Sequence, residues 1–327
     1  MNLYEQQAAN RRKTWLVMLA FVAFFFLLGL GFDAFYLGTT GGFLPIGSVI
    51  ALGVGSVSAA VSYFSGDRAV LLATAARPVE ELEAAAADAD KLTLHQLQNV
   101  VDEMAIAAGL PRPQVYVVPD ADPNAFATGR DPEHASLAVT RGLLDTLDRE
   151  ELQGVVAHEM SHIRNLDVRV MTIVAALVGA VALLADWARR GMMWGGGARR
   201  RDRGDDRGSG VAGIILFVVW LMAILLAPLL AQLLAMMVSR RREYLADASG
   251  AELTRNPLGL ARALEKIEAA AAPTVAVNRG SAHLCIADPL GRPVNLKEGA
   301  WSNLFASHPP MSARIAALKD MAFQGRT

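Results

Sequence analysis

The chain has a single cysteine, Cys285, among its 327 residues, so an internal disulfide is excluded and a reducing compartment is indicated. It also lacks a strong charge of either sign: the net charge is −1, which gives no indication of a nucleic-acid partner. Its long hydrophobic runs contain no acidic, basic or histidine residue. A divalent-cation transporter needs such residues within its membrane spans, so this class is discounted.

Apolar residues are abundant instead: 53% of the chain is hydrophobic, and the mean hydropathy is +0.30. Since about 20 residues cross a bilayer, the first, second and fourth of the uncharged runs are predicted to be membrane helices. The third is near the lower limit and is predicted to be either a span or a buried or interfacial helix. No cleavage site of small residues follows the first run, which therefore does not read as a signal peptide. The runs are Trp15 to Leu30, Phe43 to Phe64, Met171 to Ala185 and Val211 to Val238.

An H-E-x-x-H sequence stands just before the third run, at His158–Glu159–Met160–Ser161–His162. In a helix, residues four apart share one face, so His158 and His162 can bind one zinc ion. The carboxylate of Glu159 can then reach a water on that zinc and act as its base. A helix with two surface histidines and a solvated glutamate would have the same sequence pattern. The metal-site reading therefore needs support from the neighbouring sequence.

The surroundings predict a helix with a defined start. Asp148 and Glu151 form a capping-box pattern, with Asp148 as the N-cap. An apolar stripe at helical spacing follows, so both histidines fall inside the helix. The stripe consists of Leu152, Val155, Val156 and Met160.

A third zinc ligand is expected just after the fourth run. Glu243 and Asp247 are four residues apart there, on one face of a predicted helix. Glu243 can complete a His2Glu site, and Asp247 can hold a ligand histidine through its second nitrogen. The preceding arginines, 240 to 242, are predicted to meet lipid headgroups. The membrane hairpin between the two motifs brings them back to the same side.

Taken together, these segments resemble the HtpX-type membrane metalloproteases, which are relatives of the CaaX prenyl protease. The resemblance implies a gluzincin with one Zn²⁺ per chain on His158, His162 and Glu243, and with Glu159 as the base. It also implies a cytoplasmic catalytic domain in the bacterial inner membrane, and the degradation of misfolded or damaged membrane proteins under stress. It covers most of the chain and rests on the N-terminal hairpin, Asn124 to Gly129, His158 to His162 with Asn165 and Asp167, Arg242 to Asp247, and Ser307 to Pro310 with Arg314.

The predicted fold class is a mainly α membrane protein: transmembrane helices plus an α+β zincin-like metalloprotease domain with a small β-sheet. Residues 1–64 form a membrane hairpin with spans near 15–32 and 43–64. Residues 65–167 and 239–327 are the two parts of the catalytic domain. Residues 168–238 form a second hairpin (168–187 and 211–238) around a disordered Gly- and Arg-rich loop, 188–210. The Gly- and Arg-rich segment from Gly195 to Gly210 departs from the family pattern.

The orientation is left with two alternatives. Arg11, Arg12 and Lys13 precede the first run, and by the positive-inside rule they place the N-terminus in the cytoplasm. The loop from 188 to 210 would then lie outside, yet it holds seven Arg against three Asp. Either the first hairpin dominates, or the third and fourth runs form a hairpin that does not fully cross.

Substrate contacts are expected on a strand. Residues 78–109 are predicted to be helical, and Gln114 to Val118 and Ser136 to Thr140 are predicted strands. Asn124, Ala125, Phe126 and Ala127 are predicted to form an edge strand that holds substrate, or an ordinary loop. His308 and Arg314 are candidates to donate to the oxyanion, or belong to a turn that begins the last helix. The other histidines, 95, 134 and 283, are read as surface or structural residues.

Two functions compete at this point. The first is a membrane-embedded zinc endopeptidase with membrane-protein or peptide substrates. The second is a membrane scaffold or chaperone with a structural zinc and no turnover. Glu159 favours the first, because a structural site has no use for a carboxylate there and usually has four protein ligands. Cleavage preference and oligomeric state do not follow from the sequence.

Overall fold

The computed structural model describes residues 3–40, 45–195, 240–270, 284–286 and 309–324. The described helices are α1 Leu3–Thr40, α2 Ile46–Ala73, α3 Val79–Ala85, α4 Asp88–Ala108, α5 Arg141–Thr146, α6 Arg149–Arg164, α7 Asp167–Gly195, α8 Arg240–Thr254, α9 Pro257–Ala269 and α10 Met311–Gln324. The strands are β1 Arg77–Pro78, β2 Gln114–Val118, β3 Ala125–Gly129 and β4 Ala135–Thr140. The predicted run 211–238 lies outside the described residues.

Two described helices are long and apolar enough to cross a bilayer, α1 over Leu3–Gly31 and α2 over Ile46–Ala73. They form an antiparallel hairpin. Asp33 accepts hydrogen bonds from the N–H groups of Gly47 (2.8 Å) and Ser48 (2.7 Å) at the start of α2. These N–H groups have no partner within their own helix, so the carboxylate satisfies them where the chain reverses.

The hairpin presents a broad apolar surface, as a membrane helix does. Only 22% of each apolar window is buried inside the protein. Large side chains along both helices are mostly exposed, a surface that water would disfavour and lipid accepts. They include Trp15, Leu19, Leu27, Val49, Val57 and Phe64. The predicted fold class of membrane helices joined to a small α+β domain is confirmed.

α7 packs against both membrane helices. Val17 and Phe21 of α1 meet Val170, Ile173 and Val174 of α7 in one apolar cluster. α7 has 29 residues, which is about 43 Å of helix, so it is longer than the predicted third run. It continues to Gly195, so the part of the predicted disordered loop from 188 to 195 is helical, which corrects that expectation.

The sheet has four strands in the order β1-β2-β4-β3. β2 and β4 are parallel, and β3 joins β4 antiparallel at the edge. The predicted strands Gln114 to Val118 and Ser136 to Thr140 are confirmed, and the edge strand runs over Ala125–Gly129. The region from 78 to 109 is two helices, because the chain is extended at Ala86 and Ala87 between α3 and α4.

α6 is the central helix of the α+β domain. Its capping box is present as predicted: Asp148 accepts from the Glu151 N–H at 3.0 Å, and Glu151 accepts from the Asp148 N–H at 2.9 Å. α4, α8, α9 and β3 all pack against it. Because partners surround it, every residue from Val155 to Ile163 is buried.

The chain breaks between α6 and α7, which are two separate helices. α6 ends at Arg164, and Leu166 takes a left-handed conformation at φ 59° before α7 begins at Asp167. Such a conformation costs a residue with a Cβ roughly 1–2 kcal/mol. The break turns the first residue of α7 back toward the end of α6, with consequences for the site described next.

Candidate metal centre

Two imidazoles stand side by side in the interior, on the face of α6 that the H-E-x-x-H spacing predicts. The Nε2 atoms of His158 and His162 are 3.2 Å apart. The side chains of His158 and His162 are buried, with 0% and 4% exposed. The two rings lie edge to face, and their Nε2 atoms converge. Each buried nitrogen needs a partner, which an apolar core does not supply, so this arrangement is unusual for a purely structural pair of histidines.

α8 supplies the third group of the cluster. Glu243 places Oε2 3.8 Å from His158 Nε2 and Oε1 3.7 Å from His162 Nε2. α8 can approach α6 closely because it has Gly250 at the contact: a Cβ there would lie 3.1 Å from the His158 N atom and 3.2 Å from its Cα. The ligand atoms of the three residues all lie within 4.8 Å of one another, as a shared metal ion requires.

The second nitrogen of each imidazole faces a carboxylate. His158 Nδ1 is 2.9 Å from Asp247 Oδ1, as the four-residue spacing from Glu243 predicted. His162 Nδ1 is 3.2 Å from Asp167 Oδ2, a contact that the sequence analysis missed. This contact depends on the left-handed conformation of Leu166 at the break between the helices, which no sequence pattern predicts. A carboxylate on Nδ1 holds the proton there and leaves the Nε2 lone pair for a metal.

Arg314 of α10 lies behind Asp247 and is fully buried. Its Nε and Nη2 donate to the two Asp247 oxygens at 2.8 and 2.7 Å, and Nη1 donates to the Ile286 carbonyl at 2.8 Å. Nη1 is also 3.5 Å from Glu243 Oε2. Burial opposes ionisation of Asp247, but the charge of Arg314 outweighs it and lowers the carboxyl pKa to about 2. The geometry thus connects Arg314 to a histidine through Asp247.

Arg242 corrects an expectation. It was predicted, with its two neighbours, to meet lipid headgroups. In the structure the residue is buried, at 8% exposed, and its Nη1 donates to Asp167 Oδ1 at 3.1 Å. Arg241 beside it is exposed, as expected. Helical periodicity explains the difference, because only one of the two adjacent side chains can face α6.

Glu159 lies beside the cluster with its carboxylate buried, at 1% exposed. Burial raises its pKa above the ordinary value, although the neighbouring histidines work in the opposite direction. The Ala127 backbone N–H on β3 donates to this carboxylate. The other oxygen, Oε1, is buried and has no hydrogen-bond partner among the described residues. A carboxylate held on one side and unsatisfied on the other is suited to receive a proton from a small molecule beside it.

The donor set fits a cation such as Zn²⁺. A tetrahedral ion with bonds of 2.0–2.1 Å requires ligand atoms about 3.3 Å apart, close to the separation of the two Nε2 atoms. Burial opposes protonation of His162, but the hydrogen bond to Asp167 and the charge of Glu243 outweigh it and raise its pKa to about 9. The surroundings therefore favour a positive charge at this point, and a metal ion supplies one.

The predicted substrate strand is present at the sheet edge but is covered. Asn124, Ala125, Phe126 and Ala127 are all at most 3% exposed. The Ala125 carbonyl, which faces away from β4, accepts from the Ile286 N–H at 2.9 Å. His308 and His283 lie outside the described residues, so their predicted roles stay predictions. The two other histidines pair with carboxylates near the surface, His95 with Glu83 and His134 with Asp131.

Membrane helices joined to a small mixed sheet, with an H-E-x-x-H helix completed by a distant glutamate, define a membrane metalloprotease. Comparison with known proteins agrees. The model of peptidase family M48 matches residues 91–322. A "Protease HtpX homolog" from Caldanaerobacter subterraneus subsp. tengcongensis is 42% identical over 320 residues, covering 98% of each chain. One from Streptococcus gordonii is 43% identical over 320 residues, covering 98% of this chain and 100% of its own.

Among solved structures, the crystal structure of S. mikatae Ste24p matches with a TM-score of 0.45 and 16% identity, covering 96% of this chain and 67% of that one. The family assignment comes from the sequences. The chain belongs to peptidase family M48, among its HtpX-type proteases. The predicted resemblance is confirmed, and the enzyme class is that of a metalloprotease.

Proposed function

We propose that the chain is a zinc-dependent endopeptidase that hydrolyses misfolded or damaged membrane proteins as part of a stress response. The observation that carries the catalytic part is Glu159 Oε1, which lies beside three converging ligand groups and has no partner in the part of the chain that the structure describes. A structural zinc usually has four protein ligands and needs no free carboxylate. The arrangement therefore favours an enzyme over a scaffold or chaperone with a structural metal.

The proposed ligands are His158, His162 and Glu243, a His2Glu set that other catalytic zinc sites use. When bound, zinc would lower the pKa of a water to about 7 and polarise the carbonyl of the peptide bond. The choice of zinc over another divalent ion rests on this donor set. Two neutral imidazoles and one carboxylate are ligands that suit zinc, whereas magnesium and calcium prefer sites made of oxygen atoms alone.

Glu159 is the proposed general base. It accepts a proton from the attacking water as the new carbon–oxygen bond forms, and it passes the proton to the amine nitrogen as the carbon–nitrogen bond breaks. The carboxylate is thereby restored at the end of the cycle. Its raised pKa supports this use, because proton transfer is most efficient when the pKa of the catalyst approaches the working pH.

The surrounding charges have orienting roles in this proposal. Asp247 holds His158 and Asp167 holds His162, each through Nδ1. Arg314 was predicted to donate to the oxyanion, as was His308. The contacts of Arg314 with Asp247 and the Ile286 carbonyl support a positioning role for it, since three of its nitrogens already donate within the protein.

The β3 edge, over Asn124 to Ala127, is the proposed substrate-binding strand. Metalloproteases of varied specificity hold substrate by main-chain hydrogen bonds to such an edge. The outward-facing groups of Ala125 and Ala127 here contact Ile286 and Glu159. An entering peptide strand would replace the Ile286 bond and would bring its own carbonyl beside Glu159.

Nearness to the bilayer supports membrane proteins as the substrate class. The Gln7 side chain near the start of α1 donates to the Arg164 carbonyl at 2.8 Å, so a membrane helix touches the end of the ligand helix. Membrane-anchored chains would meet the site at high effective concentration. We place the enzyme in the bacterial inner membrane as a multi-pass protein, with residues 65–167 and 239–327 forming a cytoplasmic catalytic domain.

One experiment tests both parts of the proposal. A single loop sequence is presented to the purified chain in vesicles, either attached to a transmembrane helix or as a soluble peptide at equal bulk concentration. We expect faster cutting of the attached form and loss of both activities with a zinc chelator, restored by Zn²⁺. Faster cutting of the soluble peptide would refute the substrate class alone. Activity that survives chelation would refute the metal mechanism.

A further inference from the structure

The N-terminal end of the first membrane helix lies against the corner between α6 and α7. Asn10 is buried there, at 4% exposed, and its Nδ2 donates to the Asn165 carbonyl at 2.9 Å. Gln7, one turn earlier, makes a similar bond from its side-chain amide to the Arg164 carbonyl. Both bonds join α1 to the end of the helix that carries the histidines.

Asn10 differs from Gln7 in a second bond. Its Nδ2 also donates to Asp167 Oδ1 at 2.8 Å, so both amide hydrogens are used. Arg242 Nη1 donates to the same oxygen at 3.1 Å. The opposite oxygen, Oδ2, faces His162 Nδ1 at 3.2 Å. Two donors from α1 and α8 therefore fix one side of the carboxylate, and the imidazole is held by the other side.

We propose that Asn10 is a positioning residue for the metal centre, acting through Asp167 on His162. Arg242 supplies the charge that compensates the carboxylate, whereas the neutral amide of Asn10 fixes its rotation. Since the direction of Oδ2 sets the plane of the His162 ring, a membrane helix takes part in orienting a ligand. This inference rests on the proposed ligand role of His162.

A plain anchoring role for Asn10 is the alternative, and Gln7 provides the matched control. Gln7→Ala removes an amide-to-carbonyl bond of the same kind from the same helix without touching Asp167. Asn10→Leu keeps the branched shape of the side chain and removes both bonds. Asn10→Ala and Asp167→Ala, singly and together, complete a double-mutant cycle that reports whether Asn10 acts through Asp167.

The test uses the full chain in detergent, with Zn²⁺ affinity from chelator competition and the visible spectrum of Co²⁺ bound in place of Zn²⁺. We expect Asn10→Leu and Asn10→Ala to weaken Zn²⁺ binding by about 10 to 100-fold and to alter the Co²⁺ spectrum, with Gln7→Ala unchanged in both. In the Asp167→Ala background, Asn10→Ala should have little further effect.

Wild-type affinity and spectrum in the Asn10 variants would overturn the proposal, as would equal losses in Gln7→Ala. Additive losses in the double mutant would overturn it also, because Asn10 would then act independently of Asp167. If Asn10→Leu does not fold, the double-mutant cycle with Asn10→Ala still tests whether Asn10 acts through Asp167. Failure of the wild-type chain to bind Zn²⁺ would count against the proposed function itself. The wild-type measurement therefore distinguishes that outcome from a failure of the Asn10 proposal.

Discussion

Arg314 contacts both carboxylate oxygens of Asp247 across a separation of 67 residues in the chain, through bonds of 2.8 and 2.7 Å. Both side chains are buried, and Asp247 Oδ1 also lies 2.9 Å from His158 Nδ1. The last described helix, α10, is therefore connected to the first predicted ligand through two side chains. A fork of this kind is rigid, because the two parallel bonds fix both the distance and the plane of the carboxylate.

We predict that Arg314→Met lowers the free energy of unfolding by about 3–5 kcal/mol, because it leaves the Asp247 charge buried without its partner. Lys319→Met on the same helix is the control: its pair with Glu265 is 47% and 43% exposed and contributes at most about 1 kcal/mol. Denaturant unfolding in detergent measures both. Equal effects of the two substitutions would contradict the importance of the buried pair.

Glu159→Gln is expected to retain metal and to lose peptidase activity by about 10² to 10⁴-fold. The amide keeps the shape of the side chain but cannot accept the proton. Glu150→Gln on the same helix, at an exposed ion pair with Arg262, should keep near-normal activity. Metal analysis and a cleavage assay on one preparation check both variants. Near-native turnover in Glu159→Gln would remove it from the catalytic role.

Glu243→Ala should weaken metal binding far more than Asp247→Asn does. The first change removes a proposed ligand, whereas the second removes an orienting charge, an effect of about 10 to 100-fold. A chelator competition series on both variants provides the comparison. The order of the two affinities decides the outcome: a weaker Asp247→Asn site would show that Glu243 does not bind the metal.

The two proposed parts of the catalytic domain, 65–167 and 239–327, should be labelled from the same, cytoplasmic side of the membrane. Single cysteines replace Ile106 and Phe323, which are 82% and 63% exposed, in a Cys285→Ala background. A charged thiol reagent added to intact cells should reach neither before the cells are opened. Leu27→Cys, on the apolar surface of α1, should stay unlabelled throughout. Labelling of Ile106→Cys in intact cells would reverse the assigned orientation.

The same assay addresses the two alternatives for the third and fourth hydrophobic runs. Ser209→Cys places a thiol in the 188–210 loop, which lies outside if both runs cross the bilayer. Labelling in intact cells would indicate that both runs cross the bilayer. Labelling only after the cells are opened would indicate a hairpin that does not fully cross.

The local parts of this site follow from the sequence. The capping box at Asp148, the shared face of His158 and His162, and the four-residue spacing of Glu243 and Asp247 each depend on helical geometry over a few residues. The strands β2 and β4 could likewise be predicted from short apolar runs between turn signals. These features depend on residues that are close together in the chain, so one sequence is enough to predict them.

The parts that the sequence does not reveal depend on contacts between distant segments. Asp167 reaches His162 only because Leu166 adopts a left-handed conformation, and Asn10 reaches Asp167 across 157 residues. Arg242 follows Arg241, which is exposed, and only the packing of α8 on α6 explains why Arg242 is buried. Tertiary contacts, rather than local propensity, decide such cases.

Gly250 has no side chain, and this affects the geometry of the candidate metal centre. The separation between α8 and α6 is small because Gly250 lies at their contact. This separation sets the distance from the Glu243 oxygens to the two imidazoles. A Cβ at this position would lie 3.1 Å from the His158 N atom, so we expect a larger residue to shift the neighbouring backbone by a few tenths of an ångström and to alter these separations. We expect a substitution at position 250 to change the fit for metals of different radius while it leaves every proposed donor atom in place.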